Sequence, residues 1–458
     1  AARWRQSLPR YRRFADAPGM NAPSLPQAAP GLDDSLREQV IAAAALLADA
    51  ARPLRVLRTI DWPIEVRKRF LAAKGKVLPS VSYEPVDASR SLRKVERARR
   101  IRTGHAKIDA WLTRHADAIE ATAGMLQAVG TPGFYRHGRT LYGDSSTPLK
   151  LHPATPLDMA RSIHQSIEQL TRIRMDPPPA ATHTATQVAR TIRKELNARF
   201  GADAPAVTLV PTLSANALAT SKEIRIRRDA RFTDRDAQQL LQHEAWIHVG
   251  TSINGRHQDL LPILGVSYPY TTRTQEGLAV FAEIISSTME LDRFRRLADR
   301  VVAIQMAVDG ADFLEVYRWF LERVGQAEQA YENTRRVYRG GVITGGAPFT
   351  KDVSYVFGLL QVSNMVRAMF AAGRADVLRL LFCGKLDVQD LPVLCELAAL
   401  GLCRAPRHRP PWATDPRSLL ATLAYSTFIN QIDLEPLTRY ATQLVADSPI
   451  VSFDVTRR

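Results

Sequence analysis

Cysteine is scarce in this chain. Only Cys383, Cys395 and Cys403 occur among its 458 residues. No two of them form a C-x-x-C, and the number is odd, which argues against a disulfide framework and against a cysteine-held zinc. A reducing compartment is the expectation. Long apolar runs are missing too: nothing approaches the roughly 18 residues a membrane span needs. The opening stretch AARWRQSLPRYRRF carries charge with no apolar segment behind it, so no secretory signal is expected, and a soluble, cytoplasmic protein is. Internal repeats are absent. Negative charge is in deficit, with 46 Asp+Glu against 62 Lys+Arg, a net +16. That balance favours acidic partners, whether nucleic acid, anionic lipid or acidic peptide. The basic residues are spread along the chain, however, so a general richness in Arg explains them equally well.

What is present is ordinary for a globular protein: 45% apolar and 24% charged residues. Residues 1–32, rich in Arg, Pro and Ala, read as a flexible basic tail. Asp33 and Asp34 open an apolar helix, and another helix follows Trp62-Pro63. A long basic helical stretch covers about 88–129. TPGF and LYGDSSTP read as turns, and helices follow over about 156–175 and 184–200. Then β-branched residues gather in AVTLVPTL and KEIRIRR, which predict two short strands. Thr233 with Asp236 forms a capping-box pattern before QQLLQHEAWIHVG. A loop (TSINGRHQDLLPILGVSYPYTTR) leads to the helix QEGLAVFAEIISSTMELDRF, and helices joined by short loops continue to the end. The expected class is α+β, predominantly helical, with a small sheet beside the His243 helix. The expected regions are a helical one over 33–180, a catalytic core over 181–372 and a C-terminal helical region over 373–458 packed on that core.

The chemistry concentrates in HEAWIHVG, His243 to Gly250. In H-E-x-x-H the two histidines stand four residues apart, about 40° around a helix, and both reach one ion. Here the step is five residues, which on a regular α-helix turns the rings roughly 140° apart. A π turn of about 4.4 residues would realign them. Alternatively the helix ends at His248 and the chain swings the ring inward at Gly250. A zinc site needs a third protein ligand and leaves a fourth position open for catalysis. The candidates are His257, nine residues past His248, and Glu276, beside the small Gly277 and Ala279 that permit close helix approach. Periodicity opposes Glu276: with Glu283 and Glu290 it forms a seven-residue stripe, the pattern of a solvated face.

HEAWIHVGTSINGRHQ followed by TQEGLAVFAEI resembles the QEGLA-motif family, which includes the microtubule-associated tyrosine carboxypeptidases. LYGDSSTP and TRRVYRGG…GAPFTKDVSYVFG are similar to that family as well, so the likeness covers roughly 140–360. Its pattern is H-E-x-x-x-H and then a glutamate in E-G-L-A. The resemblance implies a zincin-like, gluzincin-type core with Zn2+ on His243, His248 and Glu276, and Glu244 as catalytic acid/base. It implies a carboxypeptidase that removes a C-terminal residue, tyrosine or another aromatic, from an acidic tail. Members of bacterial type carry Gln before the glutamate, as Gln275 does here, and their substrate is not presumed to be tubulin.

A hydrolase of this kind needs a donor for the oxyanion. Tyr270 and Tyr338 are the candidates chosen, with Tyr268 and Tyr355 as alternatives. A terminal carboxylate needs a cation, best a planar Arg fork; Arg273, Arg336, Arg339 and Lys351 are the candidates. Two other readings stay open: a zinc endopeptidase or other amide hydrolase on the same core, and a basic nucleic-acid-binding or regulatory protein with a structural or vestigial zinc site. The retained Glu244 argues against the last, since a structural site favours four protein ligands.

Overall fold

Short capping signals decide where many helices start. The structure, a computed structural model, describes residues 34–149, 152–171, 180–211, 213, 216–220 and 223–446; the tail expected over 1–32 lies outside them. Thr155 with Asp158, Thr184 with Gln187, Thr233 with Asp236 and Asp312 with Glu315 each form a reciprocal capping box. Each satisfies two backbone donors that a helix start otherwise leaves open. The chain divides between Arg409 and Pro410 into two compact units. The described part of the smaller one holds helices Pro411–Thr414, Arg417–Ile429 and Glu435–Ala446. The fold is predominantly helical with small sheets. No described helix is long and apolar enough to cross a membrane.

In the larger unit, helices Asp34–Ala51 and Ile64–Ala72 stand where expected. The stretch expected to be helical over 88–129 is two helices, Ser89–Arg99 and Ala106–Gln127. Gly104 breaks it at φ +70°, and the Asp109 carboxylate takes the amide and hydroxyl of Thr103 across the break. TPGF is a helix start and not a turn: Thr131 caps Pro132–Tyr142, with Pro132 in the first turn, where a missing N–H costs nothing. Gly143, at φ +78°, does end that helix in a turn. The helix expected over 156–175 runs Pro156–Leu170, and residues 172–179 lie outside the described set.

The helix Ala185–Phe200 (α1) covers a three-stranded sheet of Ala206–Val210 (β1), Ala217–Ala219 (β2) and Glu223–Arg227 (β3). β3 is central, parallel to β1 and antiparallel to β2. Ile224 and Ile226 point into the core while Arg225 faces out, the period-2 alternation of a half-buried strand. β2 was not expected. Its Ala-Leu-Ala has little strand preference, and it exists because β3 offers a free edge.

Beyond the sheet come Asp234–Leu240 (α2), Pro269–Ile285 (α3), Leu291–Val308 (α4), Ala327–Tyr338 (α5) and Val353–Ala371 (α6). α3 and α6 touch backbone to backbone. A Cβ on Gly277 would lie 2.1 Å from the Gly358 carbonyl carbon. Only glycine allows this approach, and it brings the start of α6 against Glu276. Not every connection here is short: Arg339 to Asp352 is a long segment, mostly buried, that delivers Lys351.

Candidate metal centre

Helix geometry resolves the five-residue step. α2 passes into a π-helical segment, Leu241–Val249, and continues as an α-helix over Gly250–Arg256. The Gly250 amide reaches the Ala245 carbonyl, five residues back, which is the π bond. The segment TSINGR is therefore helix rather than loop, and the alternative of a helix ending at His248 does not hold. The wider turn aligns the rings: the two Nε2 atoms of His243 and His248 are 3.2 Å apart.

Glu276 comes from α3. Its Oε2 lies 3.8 Å from His243 Nε2 and 3.6 Å from His248 Nε2. The solvated face expected from periodicity is not there, since only 12% of the Glu276 side chain is exposed and Glu283 is wholly buried. Four ligands around an ion at roughly 2.0–2.1 Å stand about 3.3 Å from one another. The three atoms here, 3.2, 3.6 and 3.8 Å apart, come close to that spacing. Glu276 Oε2 is also buried with no hydrogen-bond partner among the described residues. An orphan carboxylate oxygen aimed at two imidazole nitrogens is costly unless a cation lies between them. These three residues fit a divalent metal, and they are the His/Cys/Asp/Glu group able to hold one among the described residues. The trio stays open to solvent through His248, whose side chain is 18% exposed.

The surroundings orient the ligands. His243 Nδ1 lies 2.6 Å from Glu283 Oε1. Arg293 grips the same carboxylate in two places, at 2.6 and 2.8 Å. Burial opposes charge on Glu283, but Arg293 outweighs it and holds the carboxyl down to about 2. The ionised acceptor keeps the proton on Nδ1 and leaves Nε2 free as a lone pair. Burial by itself would depress His243, yet Glu283 raises it; burial depresses His248. Burial likewise opposes charge on Glu276, and Lys351, its Nζ 2.7 Å from Oε1, drives it well below the carboxylate range. Spacing carried a signal for Glu283, which stands seven residues after Glu276 on the same helical face. Nothing local carried one for Arg293.

Glu244 Oε2 accepts the amide of Ala219 on β2 at 3.1 Å, and Oε1 has no partner among the described residues. The unexpected strand thus anchors one oxygen and leaves the other without a partner among the described residues. Gln275 clamps the motif: its Oε1 accepts from Thr251 Oγ1 at 2.9 Å and from Lys385 Nζ at 2.8 Å. Lys385 also donates to the His248 carbonyl at 2.9 Å. Sealed without a carboxylate, Lys385 is pushed by burial down to about 7.

The other expected residues lie elsewhere or are already engaged. His257 pairs with Asp203 at 3.5 Å and is not a third ligand. The Tyr270 hydroxyl donates to Asp390 at 2.7 Å, and the Tyr338 hydroxyl to the Ala311 carbonyl at 2.5 Å inside an aromatic core, so neither is brought to the trio. The Tyr268 hydroxyl meets buried His115. Of the four tyrosines expected from the sequence, Tyr355 stands near the trio, its ring centroid 5.1 Å from Lys351 Nζ. Arg336 is bound twice by Asp352, at 2.6 and 2.8 Å. Arg273 stacks on Phe357, 4.2 Å from the ring centroid, and Arg339 is buried near Phe349; neither makes an ion pair within the described residues.

The family model for microtubule-associated tyrosine carboxypeptidases matches residues 68–431, most of the chain and well beyond the motif-bearing part. No curated protein matches it.

Proposed function

The chain belongs to the microtubule-associated tyrosine carboxypeptidase family, and from that premise we propose that it is a zinc-dependent carboxypeptidase with a gluzincin-type core. The observation that carries the reading is the convergence of two imidazole nitrogens and an orphan carboxylate oxygen, with the half-free Glu244 next to the first histidine. His243, His248 and Glu276 would hold the metal, which when bound polarises water and a scissile carbonyl. Glu244 Oε1 takes the proton of the attacking water and passes it to the leaving amine, while Oε2 stays pinned to β2. Glu283 and Arg293 fix the His243 ring. The Tyr270 and Tyr338 hydroxyls are committed elsewhere, so our reading gives them no catalytic role. The substrate we infer is a peptide or protein C-terminus, acidic in view of the +16 balance, ending in tyrosine or another aromatic.

Metal analysis and peptide assays test this together. Wild type should carry about one zinc per chain, Glu276→Ala much less, and Glu244→Gln the wild-type amount without hydrolysis. A peptide with a free C-terminus should be cleaved and its amide spared. Equal cleavage of the two would replace the carboxypeptidase with an endopeptidase, and an active Glu244→Gln would remove the assigned base.

A further inference from the structure

Buried charge around the trio is out of balance. Arg293, Arg300, Arg336, Arg339 and Lys351 stand against Glu244, Glu276, Glu283 and Asp352. With Lys385 sealed against the His248 carbonyl as well, basic groups outnumber carboxylates before a divalent metal adds two more charges. Uncompensated charge is costly even where it is only partly buried, so an anion is favoured in a site built this way.

Arg300, on α4, is where that anion fits. Arg293, Arg336 and Lys351 are each held at hydrogen-bond distance by a carboxylate. Arg300 reaches only Asp352, at 3.7 Å, and Asp352 is already bound twice by Arg336. None of its N–H groups makes a hydrogen bond among the described residues, and 15% of its side chain remains open. Its guanidinium carbon lies 5.3 Å from the centroid of the Tyr355 ring. The Lys351 ammonium lies 5.1 Å from that same centroid and 2.7 Å from Glu276. One aromatic ring thus joins an unused Arg fork to a metal-site residue. The rival cations are placed differently. Arg339 is 7% exposed, with Nε sealed and unpartnered among the described residues. Arg273 lies on Phe357, its Nε buried without a partner among the described residues, and feels Asp387.

The geometry points to Arg300 as the residue that binds the terminal α-carboxylate of the substrate, with Tyr355 holding its guanidinium in place. A planar fork takes a carboxylate through two parallel N–H···O bonds. A carboxylate also cancels the surplus charge, which a C-terminal amide does not. Arg300 would therefore be the source of exopeptidase specificity, and the inference rests on the carboxypeptidase reading.

The test measures binding without turnover. In metal-loaded Glu244→Gln protein, calorimetry compares acetyl-Glu-Glu-Tyr bearing a free carboxylate with its C-terminal amide. The acid should bind at least about tenfold more tightly, the range of a lost charged hydrogen bond. Adding Arg300→Gln should weaken the acid alone and bring the ratio near one, with metal content unchanged. Arg300→Lys, which keeps the charge and loses the fork, should retain only part of the preference, and it carries the test by itself if Arg300→Gln does not fold. The proposal is overturned if the preference survives at Arg300→Gln, if acid and amide weaken equally, or if Arg273→Gln abolishes the preference instead. If Glu244→Gln protein itself shows no acid preference, the carboxypeptidase reading fails and takes this one with it.

Discussion

Glu283→Gln should weaken metal binding although Glu283 touches no metal. The wild-type carboxylate is completely buried, 2.6 Å from His243 Nδ1 and doubly bound by Arg293. The amide keeps the shape and loses the charge. Two losses follow. The hydrogen bond that fixes the His243 tautomer changes from charged to neutral, a difference of roughly 1–2 kcal/mol, so metal affinity should fall about tenfold and at most about 100-fold, the usual range for such supporting groups. Arg293 is also left without its counter-ion, which should cost about 3 kcal/mol of folding stability. Competition with a chromophoric chelator reads the first and urea unfolding of metal-free protein reads the second. Using both separates a ligand-orienting role from a merely structural one. A variant that unfolds earlier yet holds zinc within about twofold of wild type would show that the Glu283 contact does not tune the ligand, and the reasoning from tautomer to affinity would be wrong.

Gly277→Ala places a methyl 2.1 Å from the Gly358 carbonyl carbon, so α3 and α6 must part. A stability loss of about 1–3 kcal/mol in chemical denaturation, with reduced activity, is expected; wild-type values for both would refute the contact. Asp387 is raised to about 6 by burial first and by Asp390 second, against partial relief from its hydrogen bonds and Arg273. Tyr270, Tyr268, His115 and Arg114 also face this pair of acids. Because its folded pKa lies above the unfolded value near 3.8, its protonated form contributes stability that is full below about pH 4 and lost as pH rises through about 6. The amount is about 3 kcal/mol. Urea titrations from pH 4.5 to 7 should show Asp387→Asn with a flatter profile than wild type; parallel profiles would deny Asp387 that role.

Much of the site was legible in the residues. Two histidines five apart with a glutamate between them pose a geometric problem that few backbones solve, and the π turn was one of two solutions in view. Small Gly277 beside Glu276 likewise announced a close helix crossing. What stayed hidden depended on partners far away in the chain. The Glu276–Glu283 stripe looked solvated because periodicity cannot see that α4 brings Arg293 across to cover it. Lys385 stands well over a hundred residues from the His248 carbonyl it binds, and β2 has no composition to declare it. Tyr270 and Tyr338 were plausible donors by residue type alone. Their hydroxyls satisfy Asp390 and a core carbonyl, a choice made by packing.

The π turn explains why these distant parts belong together. Widening a helix by one residue aligns His243 with His248 but disturbs the regular ladder after it, and a carbonyl left bare in that region would favour relaxation to an ordinary α-helix. Here the His248 carbonyl is taken by Ser252 Oγ at 2.7 Å and by Lys385 Nζ at 2.9 Å. The same ammonium holds Gln275, one residue before Glu276. A single buried lysine therefore restrains both the unusual turn and the segment that supplies the third ligand. On this argument the E-G-L-A segment and the five-residue histidine step are two halves of one device. Restoring a four-residue step by deletion would not yield a better metal helix. It would shift the His248 carbonyl away from Lys385 and separate the ligands that the wider turn brings together.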